Sequence, residues 1–225
     1  NITAAIAASR MIGVDFIEVK KNIKYLRCGF FQVLLSLIVL QYHLKHFRHN
    51  DLHNNNVNLD LFGFVNEDRY LKTFKKKPCY IAYKIFGTYF YVPYLGFCMK
   101  LIDFDVSCSK KIPNSKVKID KIYKMNGVTC KPNPVFDTHL ILNSCTYKFF
   151  EKFMGLSTRS QTLHSDMVSF IDRNIPSELR GFNTDKLGFA RIKEIKKIPK
   201  GLKTPISVIT EDSLFAEYME KPTDG

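Results

Sequence analysis

The stretch "KHFRHNDLHNNNVNL", residues 45–59, is the part of the sequence that says most about the fold and the chemistry of the chain. Between His49 and Val57 it places two histidines, an aspartate and three successive asparagines. Side chains this polar are costly to bury unless they hydrogen-bond one another or bind something. Three interpretations are therefore open: a metal site, a solvated turn or a catalytic loop.

An apolar segment precedes this polar stretch. The run "FFQVLLSLIVL", residues 30–40, contains no proline or glycine and is apolar nearly all round, which predicts a helix at the centre of a core. The run is too short to cross a bilayer, which takes about 20 apolar residues, so we expect no transmembrane segment. A rigid buried helix would then hold the polar stretch in place.

The sequence after the polar stretch changes to β-type patterns. A basic loop at residues 72–78 leads into "CYIAYKIF", a turn at Gly87 and Thr88, and "YFYVPYLGF", which together predict a β-hairpin. Pro93 predicts that the second strand lies at an edge or ends early. The following "CMKLIDF" predicts another short strand, which ends at Asp103.

The rest of the chain alternates irregular and helical patterns. Four prolines and glycines break residues 107–134, which predicts a long loop there. Helical patterns cover residues 135–155, closed by Gly155, and residues 161–173. Residues 191–203 are basic, and we expect the last stretch of the chain to be a weakly ordered tail.

The composition is that of a globular protein and not of a disordered one, with 45% hydrophobic and 24% charged residues among 225. A net charge of +13 favours anionic partners such as phosphates, acidic peptides, lipid headgroups or nucleic acid, of which we do not favour nucleic acid. Six scattered cysteines without a C-x-x-C pair predict reduced thiols in an intracellular environment.

Two acidic motifs carry the chemistry. "HNDLHNNN" matches H-x-D-L-x-x-x-N, with His49, Asp51 and Asn56 in register, and "LIDFD" resembles D-F-G around Asp103, with aspartate in place of the glycine. Their order, with an apolar helix before the first and a strand before the second, resembles the catalytic half of a protein-kinase-like fold. With the long insertion between them, the chain is similar to the kinase-like proteins of large nucleocytoplasmic DNA viruses.

The resemblance implies an α+β fold, a mainly helical protein-kinase-like C-terminal lobe over residues 1–190. A basic loop and a β-hairpin would be inserted at residues 57–100, and residues 191–225 would form a basic segment and a C-terminal tail. The sequence shows no glycine-rich loop and no strand lysine of the kind that grips ATP. A small N-terminal lobe is thus not evident, and we expect it upstream of Asn1.

The resemblance also implies an activity, ATP-dependent phosphoryl transfer to protein serine or threonine. Asp51 would then accept or orient the proton of the attacking hydroxyl, and His53 would hydrogen-bond the transferred phosphate. Asn56 and Asp103 would supply oxygen ligands to Mg²⁺, which prefers such hard ligands.

Two further residues would hold the loop in shape without reacting. His49 would help to build the loop. "NPVFDTHLILNS" resembles the kinase helix whose aspartate anchors the backbone of the catalytic loop, which makes Asp137 the candidate anchor. Partners would be a protein substrate and other virion proteins, and the location would be the host cytoplasm or the virion.

Several alternatives stay open at this point. The pattern H-x-D-L-H-x-x-N followed by I-D-[FW]-[DE] is also typical of aminoglycoside- and choline-kinase-like enzymes, which phosphorylate small molecules, and the sequence fits it at His53 and Asp105. A virion scaffold with a degenerate kinase fold is a second alternative. A third is a metal site formed by four nearby histidines: His43, His46, His49 and His53. The polar stretch could also be only a capped turn.

Overall fold

The structure is a computed structural model, and it describes residues 23–61, 79–119, 128–145, 161–180 and 201–223. Within these ranges, helices and two small antiparallel sheets pack around one main hydrophobic core. The predicted mixed α+β class is confirmed. The predictions for the basic loop at 72–78 and for residues 191–200 of the basic segment lie outside the described residues.

Helix α1, Ile23–His43, runs through the centre of the core. Side chains fully shielded from solvent recur every three residues along it, close to the helical period: Cys28, Phe31, Leu34 and Leu37. The predicted central helix is therefore confirmed. The expected all-round burial is wrong for its last turns, where Val39 and Tyr42 are exposed.

Helix α1 has 21 residues and is therefore longer than the apolar run, residues 30–40, from which it was predicted. Its part Lys24–His43 is long and apolar enough to cross a membrane by length and composition, and 39% of this apolar stretch is buried inside the fold. The core helix of a globular protein meets the same criterion. The expectation that this segment is too short to span is thus wrong on length, while its packing is that of a core helix.

A two-stranded ribbon joins the two motif segments. Strand β1, Val57–Leu61, follows the polar stretch directly and pairs antiparallel with β4, Phe97–Leu101. The register places Val57 opposite Leu101, so the end of the polar stretch lies beside the residues that follow β4. Strand β4 ends at Leu101, shortly before Asp103, the residue at which the sequence had predicted its end.

The predicted β-hairpin is confirmed. It consists of β2, Tyr80–Ile85, and β3, Thr88–Pro93, paired antiparallel. The turn is Phe86 and Gly87, one residue earlier than predicted, and both residues have positive φ, 46° and 92°. Two-residue hairpin turns of this kind match the twist of the strands. Strand β3 ends at its proline, as predicted.

A short helix interrupts the region predicted as one long loop. Helix α2 covers Ser115–Ile119, so the prediction for residues 107–134 is wrong there. The side chain of Asn114 accepts the backbone N–H of Lys116 at 3.0 Å and so begins the helix.

The two helices predicted after this loop are both present. Helix α3, Phe136–Ser144, is buried along its whole length. The prediction of an unbroken helix from residue 135 to 155 is wrong at Cys145, which leaves the helical conformation. The predicted end at Gly155 lies outside the described residues. Helix α4, Gln161–Asn174, confirms the prediction for residues 161–173 and is followed by a 3-10 turn, Ser177–Leu179.

The C-terminal stretch packs into the core, so the expectation of a weakly ordered tail is wrong for residues 205–219. Helix α5 covers Pro205–Glu211, and a 3-10 turn covers Ser213–Met219. The side-chain oxygen of Thr204 accepts the N–H of Ser207 at 3.2 Å, with proline at the first helical position, which is a common helix start. The ring of Phe215 contacts that of Phe31 at 5.9 Å between centroids.

Candidate active site

The polar stretch is held from both sides at its beginning. The backbone of Arg48 pairs with that of Cys108 through two hydrogen bonds, 2.8 and 2.9 Å, which ties the stretch to the segment after Asp103. The guanidinium of Arg48 is buried, lies 3.9 Å from the centroid of the Phe136 ring and donates to Thr129 Oγ1 at 2.8 Å. These contacts of Arg48 therefore fix the position of the backbone at the start of the polar stretch.

Asp137 holds the backbone of the next two residues. Its Oδ2 accepts the N–H of His49 at 2.8 Å, and its Oδ1 accepts the N–H of Asn50 at 2.9 Å. Burial raises the pKa of Asp137, while these two hydrogen bonds and the nearby Arg48 act in the opposite direction by favouring the carboxylate. The geometry is that of a side chain that clamps a loop.

The residue between the clamp and Asp51 has an unusual backbone. Asn50 has a φ of 70°, in the left-handed region that asparagine tolerates better than most residues. Its Nδ2 donates to Val106 O at 2.9 Å and contacts the Cys108 sulfur at 3.4 Å. The backbone conformation and these contacts account for an asparagine at this position.

His49 joins the loop to the second motif. Its Nε2 lies 2.9 Å from the backbone oxygen of Ile102, and its ring lies 4.9 Å from that of Phe104. The side chain is completely buried. His49 therefore has no access to a substrate. It links the loop to the backbone of the "LIDFD" segment.

Asp51 and Asn56 touch one another across the loop. The Nδ2 atom of Asn56 donates to the backbone oxygen of Asp51 at 2.8 Å and lies 3.4 Å from its carboxylate Oδ2. These contacts assign the amide nitrogen, so that the Oδ1 atom of Asn56 faces elsewhere and accepts no hydrogen bond from a described residue. An amide oxygen without a hydrogen bond is able to bind a cation.

The backbone just before Asp103 is bonded to that of Asn56. The N–H of Ile102, the preceding residue, donates to the backbone oxygen of Asn56 at 3.0 Å. Asp103 itself has a φ of 62° and an exposed side chain, and its carboxylate makes no contact that the structure describes. Left-handed backbone at a non-glycine residue is uncommon and marks a position where the chain is held by its surroundings.

His53 lies on the same side of the loop as Asp51. Its Nδ1 accepts the N–H of Asn55 at 3.2 Å, and its Nε2 is 3.7 Å from the Asp51 carboxylate. With Nδ1 as an acceptor, the neutral ring carries its proton on Nε2, the nitrogen nearer Asp51. The side chain of His53 is 18% exposed and that of Asp51 28%, so both are reachable from solvent.

The structure does not support the alternative of a histidine metal site. Among the described residues, no three His, Cys, Asp or Glu side chains cluster closely enough to hold a metal ion. His49 is turned toward the Ile102 backbone, and His53 toward Asn55 and Asp51. The alternative of a capped turn explains only the hydrogen bond that the N–H of Asn55 donates to His53 Nδ1.

The thiol beside Asn50, that of Cys108, is buried and unreactive. All six cysteines are free, and burial together with the neighbouring Cys130 raises the pKa of Cys108 to about 12. Cys108 donates to the backbone oxygen of Thr129 at 3.5 Å. It therefore acts as a buried packing residue beside Asn50 and not as a nucleophile.

Sequence reasoning missed one side chain at the site. The Oγ atom of Ser144, in the last turn of α3, accepts the N–H of Asn54 at 3.0 Å and donates to Ile141 O at 2.8 Å. A serine near the end of a helix carries no signal by itself. The signal available was its spacing from Asp137, since residues seven apart lie on one face of a helix.

The structure brings together most of the predicted site residues. Asp51, His53 and Asn56 share one short loop, and the strand end that leads to Asp103 is bonded to the last of them. Asp137 holds the backbone of this loop, and the side chain of His49 bonds the backbone oxygen of Ile102. The catalytic, phosphate-binding and metal-binding roles assigned to these residues stay predictions.

A comparison with known proteins agrees with the geometry. The chain is 28% identical over 192 residues to a protein of Acanthamoeba polyphaga mimivirus that carries the name "Putative serine/threonine-protein kinase". The alignment covers 84% of this chain and 37% of the viral protein, so the chain spans little more than a third of that relative. No family model matches the chain. The chain is thus a distant homologue of a viral protein named as a kinase, which supports a kinase-like relationship.

Proposed function

We propose that the chain carries the catalytic loop and metal-binding strand of a viral kinase-like protein that transfers phosphate from ATP to protein serine or threonine with Mg²⁺. The observation that carries the proposal is the meeting of Asp51, Asn56 and the strand end before Asp103 at one place. The name of the mimivirus relative supports serine and threonine as acceptors.

Asp51 is the residue that acts on the acceptor hydroxyl. A carboxylate in this position accepts or orients the hydroxyl proton as the oxygen attacks the phosphate. The contact from Asn56 Nδ2 holds the carboxylate at the loop surface, where it is 28% exposed. A side chain held this way is available to a substrate without losing its orientation.

Asn56 and Asp103 are the residues that hold Mg²⁺. Both fit a hard cation, since one offers an amide oxygen without a hydrogen bond and the other an exposed carboxylate without a partner among the described residues. When bound with ATP, Mg²⁺ neutralises charge on the phosphate oxygens.

His53 faces the transferred phosphate. Its Nδ1 is engaged by the N–H of Asn55, so Nε2 is the nitrogen that donates. Because Nε2 is also the nitrogen nearer Asp51, a phosphate attacked by the hydroxyl that Asp51 orients comes within reach of the same donor. We place this reaction in the host cytoplasm or the virion, with a protein substrate and other virion proteins as partners.

The test is a phosphoryl-transfer assay with radiolabelled ATP and Mg²⁺ on the full-length protein, including any residues upstream of Asn1. A serine- and threonine-rich protein serves as one acceptor, and choline and an aminoglycoside serve as small-molecule acceptors. Wild type should label the protein, and Asp51→Ala should lower the rate at least about 100-fold, since general acid–base groups contribute about 10²–10⁴-fold. Asp60→Ala is the matched control, because Asp60 pairs with Lys100 on the ribbon outside the loop.

The other outcomes separate the alternatives. Transfer to choline or the aminoglycoside alone would replace the protein acceptor with a small molecule while keeping the site. Equal rates for wild type and Asp51→Ala would contradict the role of the aspartate. No transfer to any acceptor, by a folded chain that assembles with other virion proteins, would favour the scaffold.

A further inference from the structure

We infer that Ser144 is a positioning residue for the metal-binding amide of Asn56, an inference that rests on the function proposed above. It acts through the hydrogen bond that its Oγ accepts from the N–H of Asn54, at 3.0 Å. Ser144 touches no substrate atom in this account. It fixes the turn on which the metal ligand is carried.

Helix α3 holds the loop at two places. Asp137, in the first turn, accepts the N–H groups of His49 and Asn50, and Ser144, in the last turn, accepts that of Asn54. The two residues are seven apart, which places them on one helix face, about 10 Å apart along the axis at 1.5 Å per residue. One buried helix therefore fixes the start and the end of the loop that contains Asp51.

The hydrogen bonds of the turn explain why Ser144 matters for Asn56. Residues Asn54–Asn56 form a single 3-10 turn. Inside it, the N–H of Asn55 bonds to His53 Nδ1, and the N–H of Asn56 bonds to the backbone oxygen of His53. Both of these bonds stay within the loop. Among the N–H groups of this turn, that of Asn54 bonds to a separate element of the fold.

The chemistry of the hydroxyl makes the contact directional. Ser144 has one proton, and Oγ donates it to Ile141 O at 2.8 Å. The oxygen lone pairs are then left to accept the N–H of Asn54. The side chain is only 5% exposed, so water does not readily replace it as the acceptor.

The variants compare residues of one shape with and without the hydroxyl. Threonine at 144 keeps an oxygen that bonds both partners, while valine has the shape of threonine and no oxygen. Ser144→Ala removes the hydroxyl without adding bulk and serves if valine prevents folding. Ser36→Ala is the matched control, because Ser36 Oγ also donates to a carbonyl of its own helix, Gln32 O at 2.8 Å, on α1.

The measurement is the affinity of the folded full-length protein for Mn²⁺ in the presence of ATP, followed by electron paramagnetic resonance of the free ion. Ser144→Val should weaken this affinity about tenfold, as is typical when a group that supports a metal ligand is removed. Ser144→Thr and Ser36→Ala should match wild type. In the transfer assay, the Mg²⁺ concentration for half-maximal rate should rise, with a smaller change in kcat.

The reference variant Asp103→Asn separates a failure of the role inferred for Ser144 from a failure of the metal site itself. If it loses Mn²⁺ affinity while Ser144→Val and Ser144→Ala bind as wild type does, the inference on Ser144 is overturned and the proposed function stands. If wild type binds no Mn²⁺ with ATP, or Asp103→Asn binds it equally well, the metal site fails and the role of Ser144 fails with it.

Discussion

The Oδ2 atom of Asp137 accepts the backbone N–H of His49 at 2.8 Å, although the two residues are 88 positions apart in the sequence. This contact places a buried carboxylate of helix α3 beneath the loop that carries Asp51. A loop held through its backbone by a buried helix keeps its shape without a ligand. The site is therefore preformed. Substitutions can then measure what each contact contributes to the free energy of unfolding.

The first prediction concerns the clamp itself. Asp137→Asn keeps the size of the side chain but replaces one acceptor oxygen with an NH₂ group, which faces a backbone N–H that then has no partner. We expect the free energy of unfolding to fall by about 2 kcal/mol, the usual effect of a buried unsatisfied group. Urea denaturation measures this. Asp166→Asn, at an exposed position of α4, should change it little, and an equal loss in both variants would contradict the clamp.

The second prediction concerns the backbone of Asn50. With a φ of 70°, this position strains every residue that has a Cβ, and alanine more than asparagine. Asn50→Ala and Asn50→Gly both lose the bond to Val106 O, but only alanine adds the strain. Asn50→Gly should therefore be the more stable of the two by about 1 kcal/mol. Thermal unfolding that ranks alanine above glycine would show that this backbone is not left-handed.

The third prediction tests whether the hairpin and the C-terminal segment share one core. The ring of Phe31 contacts those of Phe90 at 5.4 Å and Tyr218 at 5.5 Å, and its side chain is completely buried. Phe31→Ala should lower the free energy of unfolding by about 3–5 kcal/mol. Phe86→Ala is the control, because Phe86 is 65% exposed at the hairpin turn. Denaturant melts in which the two variants lose the same stability would contradict a common core.

The fourth prediction concerns pH. Asp212 is buried and accepts Arg173 at 2.7 and 3.1 Å and Asn174 at 2.6 Å. Burial pushes the pKa of Asp212 up, but these hydrogen bonds and that from the Leu214 N–H outweigh it and hold the pKa below its ordinary value of 3.8. The stabilisation from Asp212 is then fully present above that value and is lost as the pH falls through the lower folded pKa.

Asp212→Asn checks this linkage. At pH 7 it should cost about 1.5–3 kcal/mol of unfolding free energy, the range for hydrogen bonds to a charged group. The difference from wild type should shrink when the pH is lowered below about 4. Asp172→Asn, which removes a half-exposed ion pair with Arg180, should cost at most about 1 kcal/mol. A difference for Asp212→Asn that is constant with pH would contradict the lowered pKa.

The sequence was sufficient to predict the elements with a strong local signal. The apolar period around Phe31, the aromatic strands on either side of the Gly87 turn, and the helix over residues 161–173 all appear in the structure. The resemblance to the kinase family, carried by the two motifs, also implied that Asn56 and the strand end before Asp103 would meet. For the two helices and the hairpin, the pattern of the residues themselves determines the structure.

What the sequence did not predict depends on contacts between distant residues. The helix at Pro205 had its start signal in Thr204, but its short length and polar surroundings gave no reason to expect burial. Helix α3 ends at Ser144, although no neighbouring proline or glycine in the sequence predicts an end there. The role of the Ser144 hydroxyl depends on its partner Asn54, 90 positions away, which no local pattern contains.

The central claim is that Asp103 and Asn56 form one metal site, and its most direct test is a titration of Mn²⁺ in the presence of ATP with wild type, Asp103→Asn and Asp105→Asn. Asp105 is the matched control, an exposed carboxylate two positions on that pairs with Lys116 at 3.1 Å. We predict that Asp103→Asn weakens Mn²⁺ binding at least about tenfold while Asp105→Asn binds as wild type does. Equal Mn²⁺ affinity in wild type and Asp103→Asn would contradict the account.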